Sequence, residues 1–231
     1  ALGRGTLNAN TTADNNTAVG HCALFTNTTG SYNTALGVTA LDANTTASNN
    51  TAIGGASLTV NTTGCENTSV GSGSMVSNTT GDNNVAVGRC TLPQNTTADN
   101  NTSVGHSALC ANTTGNSNVA IGYRSLRNNT TASTNTAIGF QALKSNTTAI
   151  SNTAIGYNSM PGTTTGSTNI AIGNDSMTEN TTGCLNTVVG VGALQCNTSG
   201  CQNIAMGGQA LRYNQTGDNN TAIGRETLYT N

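Results

Sequence analysis

One glycine recurs in strict register: Gly3, Gly20, Gly37, Gly54, Gly71, Gly88, Gly105, Gly122, Gly139, Gly156, Gly173, Gly190, Gly207 and Gly224. Successive members lie 17 residues apart, with no insertion or deletion over 13 steps. A chain this regular folds as stacked copies of one unit, so the unit decides the fold. With the recurrent Asn (Asn16, Asn33, Asn50 and onward) as first residue, it reads N-T-A-I-G-x-x-A-L-x-x-N-T-T-G-x-x. Helical repeats need roughly 33 to 47 residues for two helices and a turn. A 17-residue coil holds only short strands and turns. Thr, Ile and Val precede the Gly, turn formers fill the remainder, and Glu, Lys, Gln and Arg are scarce. The fold expected is an all-β solenoid, a parallel β-roll or β-helix of about 13 coils. It is expected to run as one continuous array over residues 1–231, a segment of a longer repeat protein or filament. At about 4.8 Å per coil such an array is about 60 Å long.

Two large apolar positions occur in each coil. One precedes the Gly (Val19, Leu36, Ile53, Ile121, Ile138, Ile155), and the other lies five residues later (Leu24, Leu41, Leu58, Leu126, Leu143, Met160). Stacking turns them into two aliphatic ladders. Each has a small neighbour, Ala18, Ala35 and Ala137 beside the first and Ala23, Ala40 and Ala142 beside the second. Neighbours in a strand point to opposite faces. If Ile138 points in, Ala137 points out, and a column of small outward residues suggests close approach by a partner chain. The recurrent Gly implies φ > 0 or close backbone packing at a corner. A second corner alternates Gly and Ala (Gly30, Ala47, Gly64, Gly81, Ala98), so positive φ is not required there. Pro93 and Pro161 share one phase, which implies a turn whose N–H is not needed.

The motif N-T-A-I-G (Asn135–Gly139), followed by Q-A-L (Gln141–Leu143), runs through nearly every coil. It resembles the repeats of trimeric adhesins and tail-fibre proteins, including autotransporter adhesin heads. The resemblance implies a trimeric left-handed parallel β-roll with an adhesive outer face, and it carries no catalytic residues.

The most regular chemical signal is N-x-S/T at one phase: Asn10, Asn27, Asn44, Asn61, Asn78, Asn95, Asn112, Asn129, Asn146, Asn180, Asn197 and Asn214. These are N-glycosylation acceptor motifs, and an occupied row would coat one face with carbohydrate. The alternative is one founding N-T-T copied along the chain and kept as a stacked amide ladder. Drift respects the motif at Asn214-Gln215-Thr216 and Asn197-Thr198-Ser199, and only Thr163 loses the Asn. Further motifs begin at Asn15, Asn49, Asn100 and Asn219.

Among 7 cysteines, Cys184 and Cys201 share a phase one coil apart, within disulfide reach, with Cys196 a possible competitor. Cys22 and Cys90 share another phase four coils apart and cannot pair. His21 and His106 are too distant to converge on a metal, and none is expected. Asp82 and Asp99 are stacked neighbours followed by Asn-Asn, read as a solvated turn rather than a Ca²⁺ site. Identical coils give lines of like residues rather than clefts, so no enzyme activity and no cofactor are expected beyond covalent N-linked glycans. A net charge of −2 without a basic stripe excludes nucleic acid, and no apolar run approaches a membrane span. The function expected is an extracellular structural fibre on a cell or virion surface, self-associating as trimer or filament. The rivals are an adhesin using the aromatic stripe Tyr123, Phe140 and Tyr157 to bind carbohydrate or a cell surface, and an ice-binding solenoid using Thr45, Thr62 and Thr79.

Overall fold

A computed structural model describes residues 1–230. The fold is all-β, with no helix among the described residues. By internal contacts the chain divides into two compact units, 1–117 and 118–231. The first unit contains β1 (Thr17–Val19), β2 (Thr34–Leu36), β3 (Thr51–Ile53), β4 (Thr68–Val70), β5 (Val85–Val87) and β6 (Thr102–Val104). The second contains β7 (Val119–Ile121), β8 (Thr136–Ile138), β9 (Thr153–Ile155), β10 (Ile170–Ile172), β11 (Thr187–Val189), β12 (Ile204–Met206) and β13 (Thr221–Ile223).

Within each unit successive strands pair in parallel, and every residue sits over its counterpart 17 positions on: Ala18 over Ala35, Ala137 over Ala154. Each unit is therefore a β-solenoid. The ladder extends beyond the strands. Thr17 N–H donates to Asn33 O at 2.8 Å, and Gly37 N–H donates to Val19 O at 2.9 Å.

The strands face the opposite way from the sequence expectation. Their central residues (Ala18, Ala52, Ala137, Ala171) are fully buried, and the aliphatic residue before each Gly points outward. Leu36 is 47% exposed, Ile121 37% and Met206 42%. Alternation along a strand states only that neighbours oppose one another. Which one enters depends on the width of the interior, and a 17-residue coil encloses very little. Leu24, Leu41, Leu58 and their equivalents as far as Leu211, all fully buried, occupy that width and leave room opposite for a small side chain, an alanine in most coils and Val188 at the largest. Each such side chain contributes about 1.5–3 kcal/mol of burial. Ala23 and Leu24 are adjacent yet both buried. Leu24 has φ 51°, in the left-handed region, so the two-residue alternation of a strand does not apply. The inward small residue removes the packing argument for a partner drawn from an outward alanine column.

Where the interior alanines become serine, most hydroxyls find a carbonyl in the same coil or on the next rung, while Ser103 Oγ is buried with no partner. Ser57 Oγ donates to Ser69 O at 3.0 Å, and Ser159 Oγ donates to Ala171 O at 2.9 Å. Pro93 and Pro161 lie in turns, as their shared phase implies.

Candidate functional site

The most ordered chemistry in each unit is a pair of buried amide ladders. In the first, the motif asparagines stack through their side chains. Asn44 Nδ2 donates to Asn27 Oδ1 at 2.7 Å and to Ala47 O at 3.0 Å. Asn61 Nδ2 donates to Asn44 Oδ1 at 3.2 Å and to Gly64 O at 2.8 Å. The second ladder comes from the Asn that opens each coil. Asn33 Oδ1 accepts the Asn50 N–H at 3.0 Å, while Asn33 Nδ2 donates to Ala47 O at 2.9 Å. The corner carbonyl of Ala47 thus accepts from both ladders, using both lone pairs. This convergence explains why one asparagine recurs in every coil and the other is lost only at Thr163, while the corner residue alternates between Gly and Ala.

Eleven of the twelve motif asparagines are buried, from Asn27 to Asn214; Asn10 alone is exposed. Their amide nitrogens, the atoms an N-linked sugar would join, point into the coil and donate to protein acceptors. At the one coil lacking the Asn, Thr163 is also buried, and its Oγ1 accepts from Asn180 Nδ2 at 3.3 Å. The cost of that change appears one coil earlier: Asn146 Oδ1 is buried with no donor. Asn15, Asn49, Asn100 and Asn219 are exposed, with φ of 59° to 61°.

The structure stacks Cys184 and Cys201 with their sulfurs 2.7 Å apart, sharing a hydrogen bond as free thiols. That hydrogen bond, then burial, then the charges of Cys201 and Asp218 push the Cys184 thiol up to about 11. Oxidised glutathione is expected to join the pair with loss of two hydrogens. Closure should accelerate as pH rises toward 11, as the attacking thiolate becomes populated. The bridged form should gain about 3 kcal/mol, the value for a loop of about 15 residues. Intact mass and urea unfolding with and without reductant measure both effects; a Cys184→Ser variant with the same oxidised gain contradicts the assignment.

Asp82 and Asp99 are neighbours as expected, but each carboxylate serves the backbone. Asp82 Oδ1 accepts from Cys65 N–H at 2.7 Å, and Asp99 Oδ1 accepts from Asp82 N–H at 2.8 Å. No cluster of three or more His, Cys, Asp or Glu capable of holding a metal occurs among the described residues. No helix is long and apolar enough to cross a membrane.

The aromatic stripe forms a stack. Tyr123 and Phe140 have ring centroids 5.4 Å apart at 17°, and Phe140 and Tyr157 are 5.0 Å apart at 7°. The Arg124 guanidinium lies 4.9 Å from the Tyr123 centroid. The Thr45, Thr62 and Thr79 hydroxyls turn inward along their column: Thr45 Oγ1 donates to Thr62 O at 3.2 Å, and Thr62 Oγ1 to Thr79 O at 3.0 Å.

Sequence reasoning did not anticipate the density of left-handed backbone. Besides the recurrent Gly, coil after coil places three further positions at positive φ, for example Glu66 (60°), Ala56 (56°) and Leu58 (50°). Gly5, Gly73 and Gly192 at the Ala56 phase, and Asn15, Asn49 and Asn83 at the Glu66 phase, were the available signal.

No family model, curated protein or solved structure matches this chain.

Proposed function

We propose that the chain is a structural segment of an extracellular fibre, built from β-solenoid coils and associating with further copies through its strand face. The observation that carries this reading is that face itself. Its outward residues are the Thr, Val or Ile opening each strand and the aliphatic residue closing it, and no strand contains a charged residue. A ridged surface repeating with the rung spacing matches another copy of itself, rung for rung. The interior supports the same reading: ladders occupy it throughout, and its polar groups hold the coil together. The amide ladder also accounts for the asparagine row without carbohydrate, so buried N-linked glycans are not part of the proposal.

An adhesive role for Tyr123, Phe140 and Tyr157 is the weaker reading. Sugars stack on ring faces, and these faces are largely turned toward one another. An ice-binding role for the Thr45 column is weaker too, since its hydroxyls are engaged in the coil.

The triple variant Ile121→Lys, Ile138→Lys, Ile155→Lys tests the proposal. These side chains lie on the outer face, so the far-ultraviolet circular dichroism should be retained. Sedimentation should shift from assembled species to monomer. A folded variant that assembles like the parent would refute the strand-face interface. Tyr123→Ala, Phe140→Ala and Tyr157→Ala together should leave assembly unchanged, and lost glycan or cell binding in that variant would favour the adhesin.

A further inference from the structure

The way each exposed column drifts along the chain shows which of its atoms is needed. The residue opening each strand is Thr in most coils but Val at Val85 and Val119 and Ile at Ile170 and Ile204. There the β-branch is kept and the hydroxyl is not, as β-propensity on a pleated surface requires. The exposed phase after the recurrent Gly runs through His21, Val38, Ser72, Arg89, Tyr123 and Asn174 and keeps nothing.

The second residue after the motif Asn behaves oppositely. It is Thr in every coil from Thr12 to Thr216, except at Ser199. Ser199 discards the methyl and keeps the hydroxyl, so the hydroxyl is the retained group. It is exposed at every one of these positions. None of these hydroxyls hydrogen-bonds to another group among the described residues, whereas the preceding Thr28, Thr45 and Thr62 each donate to the next rung. The fold uses the backbone here, with Thr29 N–H donating to Thr45 O at 3.2 Å, and has no use for the side-chain oxygen.

Nor does the hydroxyl serve the asparagine. In Thr163-Thr164-Thr165 the Asn is gone, yet Thr165 retains its exposed hydroxyl. From Asn27 to Asn214 the Asn nitrogen is buried and unavailable for the transfer that an N-x-S/T motif directs.

We propose that this hydroxyl column, represented by Thr46, Thr131, Thr148 and Ser199, is a row of O-glycosylation sites. The co-reactant is a sugar activated as a phosphate ester, on a nucleotide or a lipid carrier. The threonine Oγ1 attacks the anomeric carbon and forms the glycosidic bond. The bond from that carbon to the phosphate oxygen breaks, the phosphate leaves with the electron pair, and the hydroxyl proton passes to a base of the transferase. A neutral group suits the column. Rungs about 4.8 Å apart would set phosphates, each carrying about −1.5 to −2 charge, one rung from the next. The same spacing restricts each hydroxyl to a single sugar or an unbranched chain.

The test uses the protein from its native source. Trypsin releases the peptide Asn128–Lys144, which contains the buried Asn129, the engaged Thr130 and the exposed Thr131. Electron-transfer fragmentation should place hexose-class mass on Thr131. That mass should vanish on alkaline β-elimination and survive an amidase that removes N-linked glycans. A bare peptide overturns the proposal, as does phosphate on Thr131 or carbohydrate confined to Asn129 or Thr130. Sugar on Asn129 would equally contradict the buried amide ladder, whereas a bare peptide would leave the fibre reading intact.

Discussion

Gly54→Ala is expected to destabilise its unit by about 4 kcal/mol, combining a positive-φ penalty with overpacking. Gly54 has φ +130°, and a Cβ there would stand 2.6 Å from the carbonyl carbon and 2.7 Å from the carbonyl oxygen of Gly71 on the next rung. Both obstacles are backbone, and Gly71 is held in turn by Gly88 in the same relation. The neighbouring Gly55→Ala is the control. A Cβ at Gly55 meets nothing within 4 Å and no left-handed φ is required, so the change should lie within about 1 kcal/mol of neutral. Urea unfolding of the two variants side by side measures the difference; equal midpoints would contradict the account of the recurrent glycine.

The amide ladder gives the second large effect. Asn61→Leu keeps the volume but removes the donor to Asn44 Oδ1, the donor to Gly64 O and the acceptor for Asn78 Nδ2, which lies 2.8 Å away. Asn44 Oδ1 is left buried without a partner, while Gly64 O retains Asn50 and Asn78 retains Gly81. The expected loss is about 3–5 kcal/mol, several buried hydrogen bonds being broken at once. Asn61→Thr should cost roughly half as much, because Thr163 already accepts from the following asparagine in its own coil. The converse change, Thr163→Asn, should add about 1–2 kcal/mol by supplying the donor that buried Asn146 Oδ1 lacks. Thermal or denaturant midpoints of the three variants check the order, and a destabilising Thr163→Asn would show that the coil has closed around the threonine.

Much of the architecture was legible because stacking converts one period into many columns. The spacing of Gly20, Gly37 and Gly54 predicted in-register rungs. The Gly/Ala alternation at Gly30 and Ala47 predicted a corner without positive φ, and neither residue departs from ordinary φ. The shared phase of Cys184 and Cys201 predicted their meeting. Three features were not legible. The sequence N-T-A-I-G alternates equally well with Ile or with Ala inside. The motif asparagines read the same whether they face water or one another. The left-handed turns at Leu58 and Glu66 occur at residue types that rarely adopt them.

The amino-acid sequence by itself determined what repeats: rungs of equal length, parallel pairing, and columns of like residues. Only the tertiary structure decided what is inside. A coil of 17 residues closes around one Leu or Met column, a row of methyl groups and two lines of asparagine amides. The physical reason is the scarcity of interior space: once the leucine column fills it, the larger strand residue must face outward and the enclosed amides pair with the adjacent rungs and with the corner carbonyls.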